Sequence, residues 1–565
     1  MSGELSQAKA GSTEERMVPA RLDWRFLLAE REPDRVAYAG RPDERLLASL
    51  RLLCPTVDVL GSTGGTHQGD ADLYGLVLAR EPSERDLALA AGRVRPGGTL
   101  VVEARGPVGA LTRTAGHEPP GRIARHLVGL GFEEVRSFWM WPDFERCTRI
   151  IPLDDPAAVQ HAFAHSRHGA GLRLGAWMAH RLVGMDRIWD RIASSVCIVG
   201  RRAAHPAAPS LHAANEASPG PNGTGAPYSS IVHGLLGRRW TELGLDRSFP
   251  SRSPSFVVLT PRFRNSSHVI FMLLPEAGSG LVAKVCRQRG PCEKLDLEAR
   301  NLRAIQARLG GLESIPRPVA FDSGEDHMIL LQTTLPGRAM DRATVRRRGP
   351  QCCESVLGWL IDVQAATRST AGPEGFDRLI GGDLSHLQAL FPAERDLLER
   401  TRSLVAPLSE MSFPLVLEHG DLSHPNLLVG PGDRVVVIDW EQAELRGMPA
   451  VDLFFFLGYV GRAMGEARST DEALRAVDQA FFGRRSWARS YVLRYAERLG
   501  LPRETLTPLF ISCWARQVAG LARKVASCED PGSPGPAFLD WLHSNWRFAA
   551  WRHAVEQSSR LDWDN

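Results

Sequence analysis

The chain has 565 residues, of which 43% are hydrophobic and 24% are charged, a mixture typical of globular proteins. One hydrophobic core rarely grows to this size, so the length predicts two or three domains. The formal net charge of +3 is small for such a chain and disfavours a nucleic-acid-binding protein.

The cysteines and the apolar segments indicate the cellular compartment in which the protein is expected. The nine cysteines are scattered and form no Cys-x-x-Cys pair, which disfavours a zinc site and a disulfide framework. A reducing cytoplasm is therefore expected. The segment Met1 to Arg16 is polar, so no secretory signal is predicted. No uncharged apolar run approaches the ~20 residues of a membrane helix, and Val451 to Val460 reads as a buried helix.

Two segments of biased composition predict the domain boundaries. Residues 1–18 read as a disordered tail. Residues 203–230 are rich in Ala, Pro, Gly, Ser and Asn without an apolar period, which is typical of a flexible linker. We therefore expect an N-terminal domain at 19–202 and a C-terminal part at 231–565.

The N-terminal domain alternates strand-like and helix-like segments. Predicted strands lie at Arg35–Ala39, Thr56–Leu60, Leu73–Ala79, Thr99–Glu103 and Ser195–Val199. Predicted helices lie at Glu44–Leu53 and Ser83–Val94. Such alternation predicts an α/β, Rossmann-like domain in which helices flank a parallel sheet.

Two stretches of this domain resemble class I methyltransferases. Arg95 to Glu103 (RPGGTLVVE) is similar to their turn and fifth strand, and Leu130 to Val135 (LGFEEV) to a later helix-to-strand turn. S-adenosylmethionine binding needs a Gly-rich loop and an acidic residue after the second strand. Here the first strand is followed by a single glycine, Gly40, and the second ends at Leu60 with no carboxylate. A degenerate domain is expected, and an active methyltransferase stays the alternative.

Residues 171–193 (GLRLGAWMAHRLVGMDRIWDRIA) form an amphipathic pattern. A helix at a membrane surface has this pattern, and so has a helix that packs on a core. Packing is favoured because the arginines are few, so peripheral membrane contact is not expected.

The C-terminal part begins with strands that carry a buried cation. Ser255–Leu259 and His268–Leu274 predict a hairpin around residues 261–267, and Leu281–Val285 a third strand. Lys284 in this strand needs an anionic partner, because a lone buried ammonium is costly. Glu298, on a predicted helix Leu295–Leu309, is one candidate, with Glu293 as its competitor.

The most informative segment runs from His419 to Asn426 (HGDLSHPN) and is called the catalytic loop below. It is followed by a β-branched strand that ends at Asp439. Phosphoryl transfer uses an Asp to orient the attacking hydroxyl, and an Asn and a second Asp to hold magnesium. Asp421, Asn426 and Asp439 supply these residue types in this order.

These motifs resemble the aminoglycoside phosphotransferase and choline kinase-like family over about residues 250–550. The resemblance implies a bilobal protein-kinase-like fold with an N-lobe at 231–335 and a C-lobe at 336–565. It further implies that Lys284 and Glu298 position the nucleotide and that His419 and Asp452 brace the catalytic loop. Phosphate contacts would come from Asn265, Ser266 and Ser267, and adenine contacts from Thr333, Thr334 and Leu335.

We therefore expect a cytoplasmic phosphotransferase that uses ATP or GTP with magnesium and acts on a hydroxyl of a small molecule. A non-catalytic nucleotide-binding scaffold is the alternative. His424 could touch substrate or pack the loop. The acceptor is open: Asp562 and Asp564 would suit an aminoglycoside, a neutral or lipid-linked sugar is possible, and tryptophans could box a choline-type cation. These tryptophans are Trp514, Trp541, Trp546 and Trp551.

Overall fold

A computed structural model describes residues 20–28, 35–41, 43–60, 73–106, 119–164, 193–204, 230–260, 268–287, 292–324, 327–370, 376–411, 413–526 and 536–563. The predicted tail, most of the linker, nearly all of the amphipathic segment and Asn265 to Ser267 lie outside these residues. The chain forms two compact units. The sheet unit takes its described residues from Glu14–Pro291 and Val319–Gln332, and the helical unit from Cys292–Pro318 and Thr333–Asn565.

In the sheet unit, twelve described strands form one sheet in the order β11-β12-β10-β9-β8-β6-β5-β7-β4-β3-β1-β2. The N-terminal strands are β1 Arg35–Gly40, β2 Thr56–Leu60, β3 Tyr74–Arg80, β4 Val94–Arg105, β5 Phe132–Trp141, β6 Arg149–Pro152 and β7 Ser195–Arg202. The others are β8 Ser255–Leu259, β9 His268–Leu274, β10 Leu281–Cys286, β11 Pro318–Gly324 and β12 His327–Thr333. Helices of this unit are α1 Glu44–Leu53, α2 Glu84–Gly92, α3 Pro120–Gly129, α4 Pro156–Ala164 and α5 Ile231–Arg239.

The predicted parallel order is confirmed for β1 to β4, where β1 pairs with β2 and β3, and β3 with β4, all in parallel. β7 returns antiparallel between β4 and β5. The predicted hairpin is also confirmed, since β8 pairs antiparallel with β9. The sheet is therefore mixed, with a parallel part near the N-terminus and an antiparallel part that carries Lys284.

Strands β6 and β8 join the two parts of this sheet, a feature that the sequence did not indicate. Arg149 pairs with Leu259 and Ile150 with Val258, in antiparallel register. Next to this pairing, the Thr260 hydroxyl donates to the Cys147 carbonyl at 2.7 Å. One hydrophobic cluster continues across the junction and includes Tyr38 of β1 as well as Phe271 of β9. Residues predicted to form separate domains thus share one sheet and one core.

The segment Ala20–Leu27, a 3₁₀ helix, covers this shared core and carries buried charges. Trp24 and Phe26 are fully buried in the cluster. Asp23 pairs with Arg287 at 3.0 Å, and the Arg25 side chain donates to the Arg287 carbonyl at 2.8 Å. Arg287 follows β10, so this polar network ties the start of the described chain to the strand of Lys284.

The helical unit carries α6 Glu293–Leu309, α7 Arg342–Thr367, α8 Gly382–Leu390, α9 Arg395–Val405, α10 Val451–Met464, α11 Thr470–Phe481, α12 Arg489–Leu499, α13 Leu506–Ala526, α14 Pro536–His543 and α15 Trp546–Glu556. Its strands are β13 Arg338–Ala339, β14 Ser369–Thr370, β15 Pro414–Glu418, β16 Leu427–Val429, β17 Val435–Val437 and β18 Glu444–Gly447. The buried helix predicted from Val451 is confirmed as α10. Among the described helices, none has the length and apolar character needed to cross a bilayer.

The Asp23→Ala variant tests the buried network of the sheet unit. Removing this carboxylate takes a buried ion-pair partner from Arg287, and breaking a buried pair in this way costs about 3–5 kcal/mol. The Asp154→Ala variant is the control, because Asp154 pairs with Arg136 at 2.8 Å while half exposed; the loss there is under about 1 kcal/mol. Thermal and chemical unfolding measure both. Equal losses in the two variants would contradict the role given to the network.

Candidate active site

The hairpin β16–β17 brings the two predicted metal ligands together. Leu427 pairs with Val437, and the Ile438 amide donates to the Asn426 carbonyl at 3.0 Å. Asn426 therefore lies beside the residue that precedes Asp439. Thirteen positions of sequence separate the predicted ligands, and the hairpin closes that gap.

The side chains of this corner are arranged for an oxygen-binding cation. The Asn426 side-chain amide donates to the Asp421 carbonyl at 2.9 Å, which leaves its oxygen as the acceptor atom. Asp439 has a φ of 72°, in the left-handed region that non-glycine residues seldom adopt. Magnesium prefers one or two protein oxygens together with phosphate oxygens and water. The donor set fits magnesium, although no group of three His, Cys, Asp or Glu side chains occurs within the described ranges.

Asp452, in the first turn of α10, braces the catalytic loop. Its carboxylate accepts hydrogen bonds from the backbone amides of His419 at 2.7 Å and of Gly420 at 3.0 Å. His419 in turn bonds the Ile438 carbonyl through Nε2 at 3.0 Å and packs edge-on against Trp440. The bracing roles expected for His419 and Asp452 are confirmed.

A buried charge network lies behind the loop. Glu418 accepts bonds from the Met448 amide and from Arg516, both at 2.9 Å. Burial, and then the neighbouring Glu418 carboxylate, raise the pKa of Asp452 to about 8. Burial also raises the pKa of Glu418, against the attraction of Arg516. The catalytic loop therefore rests on two interacting carboxyl groups that hold protons unusually well.

The predicted nucleotide-binding residues are distributed over both units. Lys284 is buried on β10 of the sheet unit, and Glu298 is fully buried on α6 of the helical unit. Among the residues predicted to contact the adenine, the Thr333 amide donates to the Arg317 carbonyl at 3.0 Å, so this donor is already engaged. Thr334 and Leu335 follow it and are half-buried.

His424 is a loop-packing residue rather than an exposed one. It is 7% exposed and packs edge-on against Tyr459. Burial, followed by the charges of Arg342 and Arg462, lowers the pKa of His424 to about 4. Of the two roles that the sequence left open, the structure favours packing by a neutral imidazole.

The predicted aromatic cation box is part of the hydrophobic core. Trp514, Trp546 and Trp551 are at most 2% exposed. The guanidinium of Arg462 lies 4.1 Å from the ring centroid of Trp546. The chain thus fills this aromatic face with its own cation, and a choline-type ligand is not bound there.

The carboxylates considered for an aminoglycoside are not gathered at the catalytic loop either. Asp562 faces Arg489 at 3.9 Å and Arg484 at 3.8 Å. Asp564 lies outside the described residues.

Sequence reasoning missed a cavity of about 780 Å³ beside the catalytic loop. Its wall includes Gly420 of the loop and Arg516, Gln517, Gly520 and Arg523 of α13. The Gln517 side chain donates to the Gly420 carbonyl at 3.1 Å, which fixes α13 against the loop. The wall residues recur at helical spacing within an otherwise apolar helix, and this polar stripe was the available signal.

Gly420→Ala tests how closely the loop is packed. Gly420 has a φ of 80°, and an added Cβ would lie 2.6 Å from the Gln442 carbonyl oxygen. Gly483→Ala is the matched control, since its φ is 82° and its Cβ would meet open space. Left-handed strain costs about 1–2 kcal/mol in each variant, and the clash adds to it only at Gly420. We expect a clearly lower unfolding midpoint for Gly420→Ala than for Gly483→Ala. Similar midpoints would show that the loop moves to accommodate the added Cβ.

The raised pKa of Asp452 predicts a pH dependence. Between the ordinary pKa of 3.8 and about 8, the folded state binds more protons than the unfolded state, so stability falls as pH rises. Asp452→Asn removes this titration. The stability of the wild type relative to Asp452→Asn is therefore expected to decrease from about pH 5 to about pH 9. Thermal unfolding across this range measures it, and a constant or growing difference would contradict the shift.

Comparison with known proteins agrees with the geometry. Residues 264–492 match the family described as Phosphotransferase enzyme family. No curated protein matches the sequence. The structure of choline kinase LicA from Streptococcus pneumoniae is 12% identical, covers 57% of this chain and 99% of its own, and has a TM-score of 0.36. Aminoglycoside phosphotransferase APH(3'')-Id from Streptomyces rimosus is 19% identical, with 51% and 98% covered and a TM-score of 0.32.

An ethanolamine kinase from Plasmodium vivax is 12% identical, with 56% of this chain and 88% of that chain covered and a TM-score of 0.37. Scores this low carry no weight for the substrate. The family match rests on the sequence, and it spans the catalytic loop, Asn426 and Asp439. Residues 264–492 thus match a family of phosphotransferase enzymes, and this match supports a phosphotransferase activity for that part of the chain.

Proposed function

We propose that this protein transfers the γ-phosphoryl group of ATP or GTP to a hydroxyl of a small molecule, with magnesium as cofactor. The hydrogen bond between Ile438 and Asn426 carries the proposal, because it gathers Asn426, Asp439 and the Asp421 carbonyl at one corner. Phosphoryl transfer needs positioning and charge neutralisation more than covalent chemistry. A braced loop with two oxygen ligands supplies both.

Each residue has a distinct task in this proposal. Asp421 orients the acceptor hydroxyl and receives its proton, while Asn426 and Asp439 hold the cation. Magnesium held by these residues would offset the negative charge of the phosphate groups. Lys284 contacts the phosphates, and Glu298 orients that lysine. Asn265, Ser266 and Ser267 cover the phosphates, and Thr333 to Leu335 bind the adenine.

The N-terminal strands serve a structural role in the same proposal. In parallel α/β sheets, ligands bind beyond the carboxyl ends of the strands where the strand order reverses, here between β1 and β3. The Arg41 amide bonds the Arg80 carbonyl at 3.3 Å at this point, and Arg80 pairs with Asp43. These bonds join the two strand ends directly, which favours a methyltransferase-like domain without S-adenosylmethionine over an active one.

Asp421→Asn and Asp439→Asn test the site. Asn tolerates a left-handed backbone, so the second change removes charge without adding strain. Asp421→Asn should lower turnover at least about a hundredfold, since it removes a general base, while nucleotide still raises the unfolding midpoint. Asp439→Asn should abolish the magnesium-dependent part of that rise.

The control is Asp433→Asn, at an exposed residue of the same hairpin that pairs with Arg348 and has a φ of 57°. It should behave as the wild type. Wild-type turnover in Asp421→Asn would refute the base. A midpoint raised by S-adenosylmethionine would refute the structural role of the N-terminal strands. Nucleotide binding without transfer to any hydroxyl would favour a scaffold.

A further inference from the structure

The cavity beside the catalytic loop lies wholly within the helical unit and has the size of a small-molecule site. Its volume of about 780 Å³ falls in the range of roughly 300–1,000 Å³ common for ligand pockets. Gly420, which precedes Asp421, and Glu441, two residues after Asp439, both line it. The cavity therefore adjoins the chain segments that carry Asp421 and Asp439.

Basic side chains outnumber acidic side chains in the wall of the cavity. The basic residues of the lining are Lys294, Arg378, Arg446, Arg516 and Arg523. The acidic residues of the lining are Glu418, Glu441 and Glu444. Five cations thus face three carboxylates in a partly enclosed space, where charges interact more strongly than in water.

The carboxylates are largely committed to arginines of the same wall. Glu418 pairs with Arg516 at 2.9 Å, and Glu444 with Arg378 at 2.9 Å. Asp383, which is not part of the lining, forms an ion pair with Arg523 at 2.7 Å. A polycationic ligand needs uncommitted carboxylates, and Glu418 and Glu444 of the wall are already paired with arginines.

Two cations of the wall are accessible to a ligand. Lys294, in the first turn of α6, has no hydrogen-bond or ion-pair partner within the described ranges. Arg523 pairs with Asp383, yet its side chain is 51% exposed. Ammonium and guanidinium groups in a cavity bind carboxylates and phosphates.

We propose that the acceptor is an alcohol that carries an oxyanion, either a carboxylate or a phosphate ester, and that Lys294 and Arg523 bind this group. The inference rests on the proposed function and names the acceptor class of that same site. The acceptor oxygen forms a bond to the γ-phosphorus while the bond to the β-phosphate oxygen breaks. The hydroxyl proton passes to Asp421, and the nucleoside diphosphate leaves.

Three acceptor pools with the full-length protein, magnesium and ATP or GTP test the proposal. The anionic pool holds gluconate, glycerate, glucose 6-phosphate and glycerol 3-phosphate. The neutral pool holds glucose and glycerol, and the cationic pool holds choline, ethanolamine and streptomycin. Diphosphate release above the acceptor-free rate, with the phosphorylated product seen by mass spectrometry, is expected for the anionic pool. Its single members then distinguish a carboxylate from a phosphate ester.

Transfer mainly to the cationic or neutral pool would overturn the proposed acceptor class and leave the proposed function standing. Nucleotide binding without transfer to any pool would overturn the acceptor class and would also favour the scaffold. Absence of any nucleotide-dependent rise in the unfolding midpoint would instead overturn the proposed function. The two failures are therefore distinguishable.

Lys294→Gln and Arg523→Gln locate the anion. Each should raise the KM of the anionic acceptor about tenfold, the effect of one charge-assisted hydrogen bond, with a smaller change in kcat and in the nucleotide KM. Arg498→Gln, at an exposed residue of α12 outside the cavity wall, is the matched control. Unchanged acceptor KM in both variants, or an equal rise for a neutral acceptor, would contradict the assignment.

Discussion

The carboxylate of Asp452 holds the catalytic loop in place, and the rest of the candidate site depends on it. Two consecutive backbone amides, of His419 and Gly420, point at its two oxygens. Buried amides need such acceptors, since an unpaired one costs free energy comparable to a lost hydrogen bond. With the loop fixed in this way, His419 can bond the Ile438 carbonyl and place the segment that ends at Asp439.

The same carboxylate couples the loop to the cavity. Burial, and then the Glu418 carboxylate, raise the pKa of Asp452, while Arg516 joins Glu418 to α13. Gln517 on that helix bonds the Gly420 carbonyl. The wall of the cavity and the catalytic loop therefore belong to one hydrogen-bonded network.

The sheet unit also joins segments that are far apart in the sequence. The strand of Lys284 lies in a sheet that continues through β8 and β6 into the N-terminal strands, over one hydrophobic cluster. Asp23 and Arg287 add a buried ion pair to this cluster. The N-terminal strands thus complete the hydrophobic core beneath the strand that carries Lys284.

The sequence by itself determined the local elements and the chemistry of the loop. Alternating apolar residues specified strands such as Thr56–Leu60, and the order of Asp421, Asn426 and Asp439 indicated phosphoryl transfer because few other reactions need those side chains together. The predicted roles of Asp421, Asn426 and Asp439 stay predictions, as do the domain boundaries. Tertiary structure alone decided the pairing of β6 with β8, since strand pairing across 100 residues has no local signal.

Tertiary structure also decided what the remaining polar and aromatic residues do. Trp546 was available to a ligand in the sequence, yet folding places Arg462 on its ring. The carboxylates near the loop were equally available, yet Arg516 and Arg378 neutralise them. The charge or aromatic character of a residue can be read from the sequence. The residue that pairs with it is decided by packing between segments far apart in the chain. The sequence therefore indicated the reaction, and the tertiary structure supplied the cavity on which the proposed acceptor class is based.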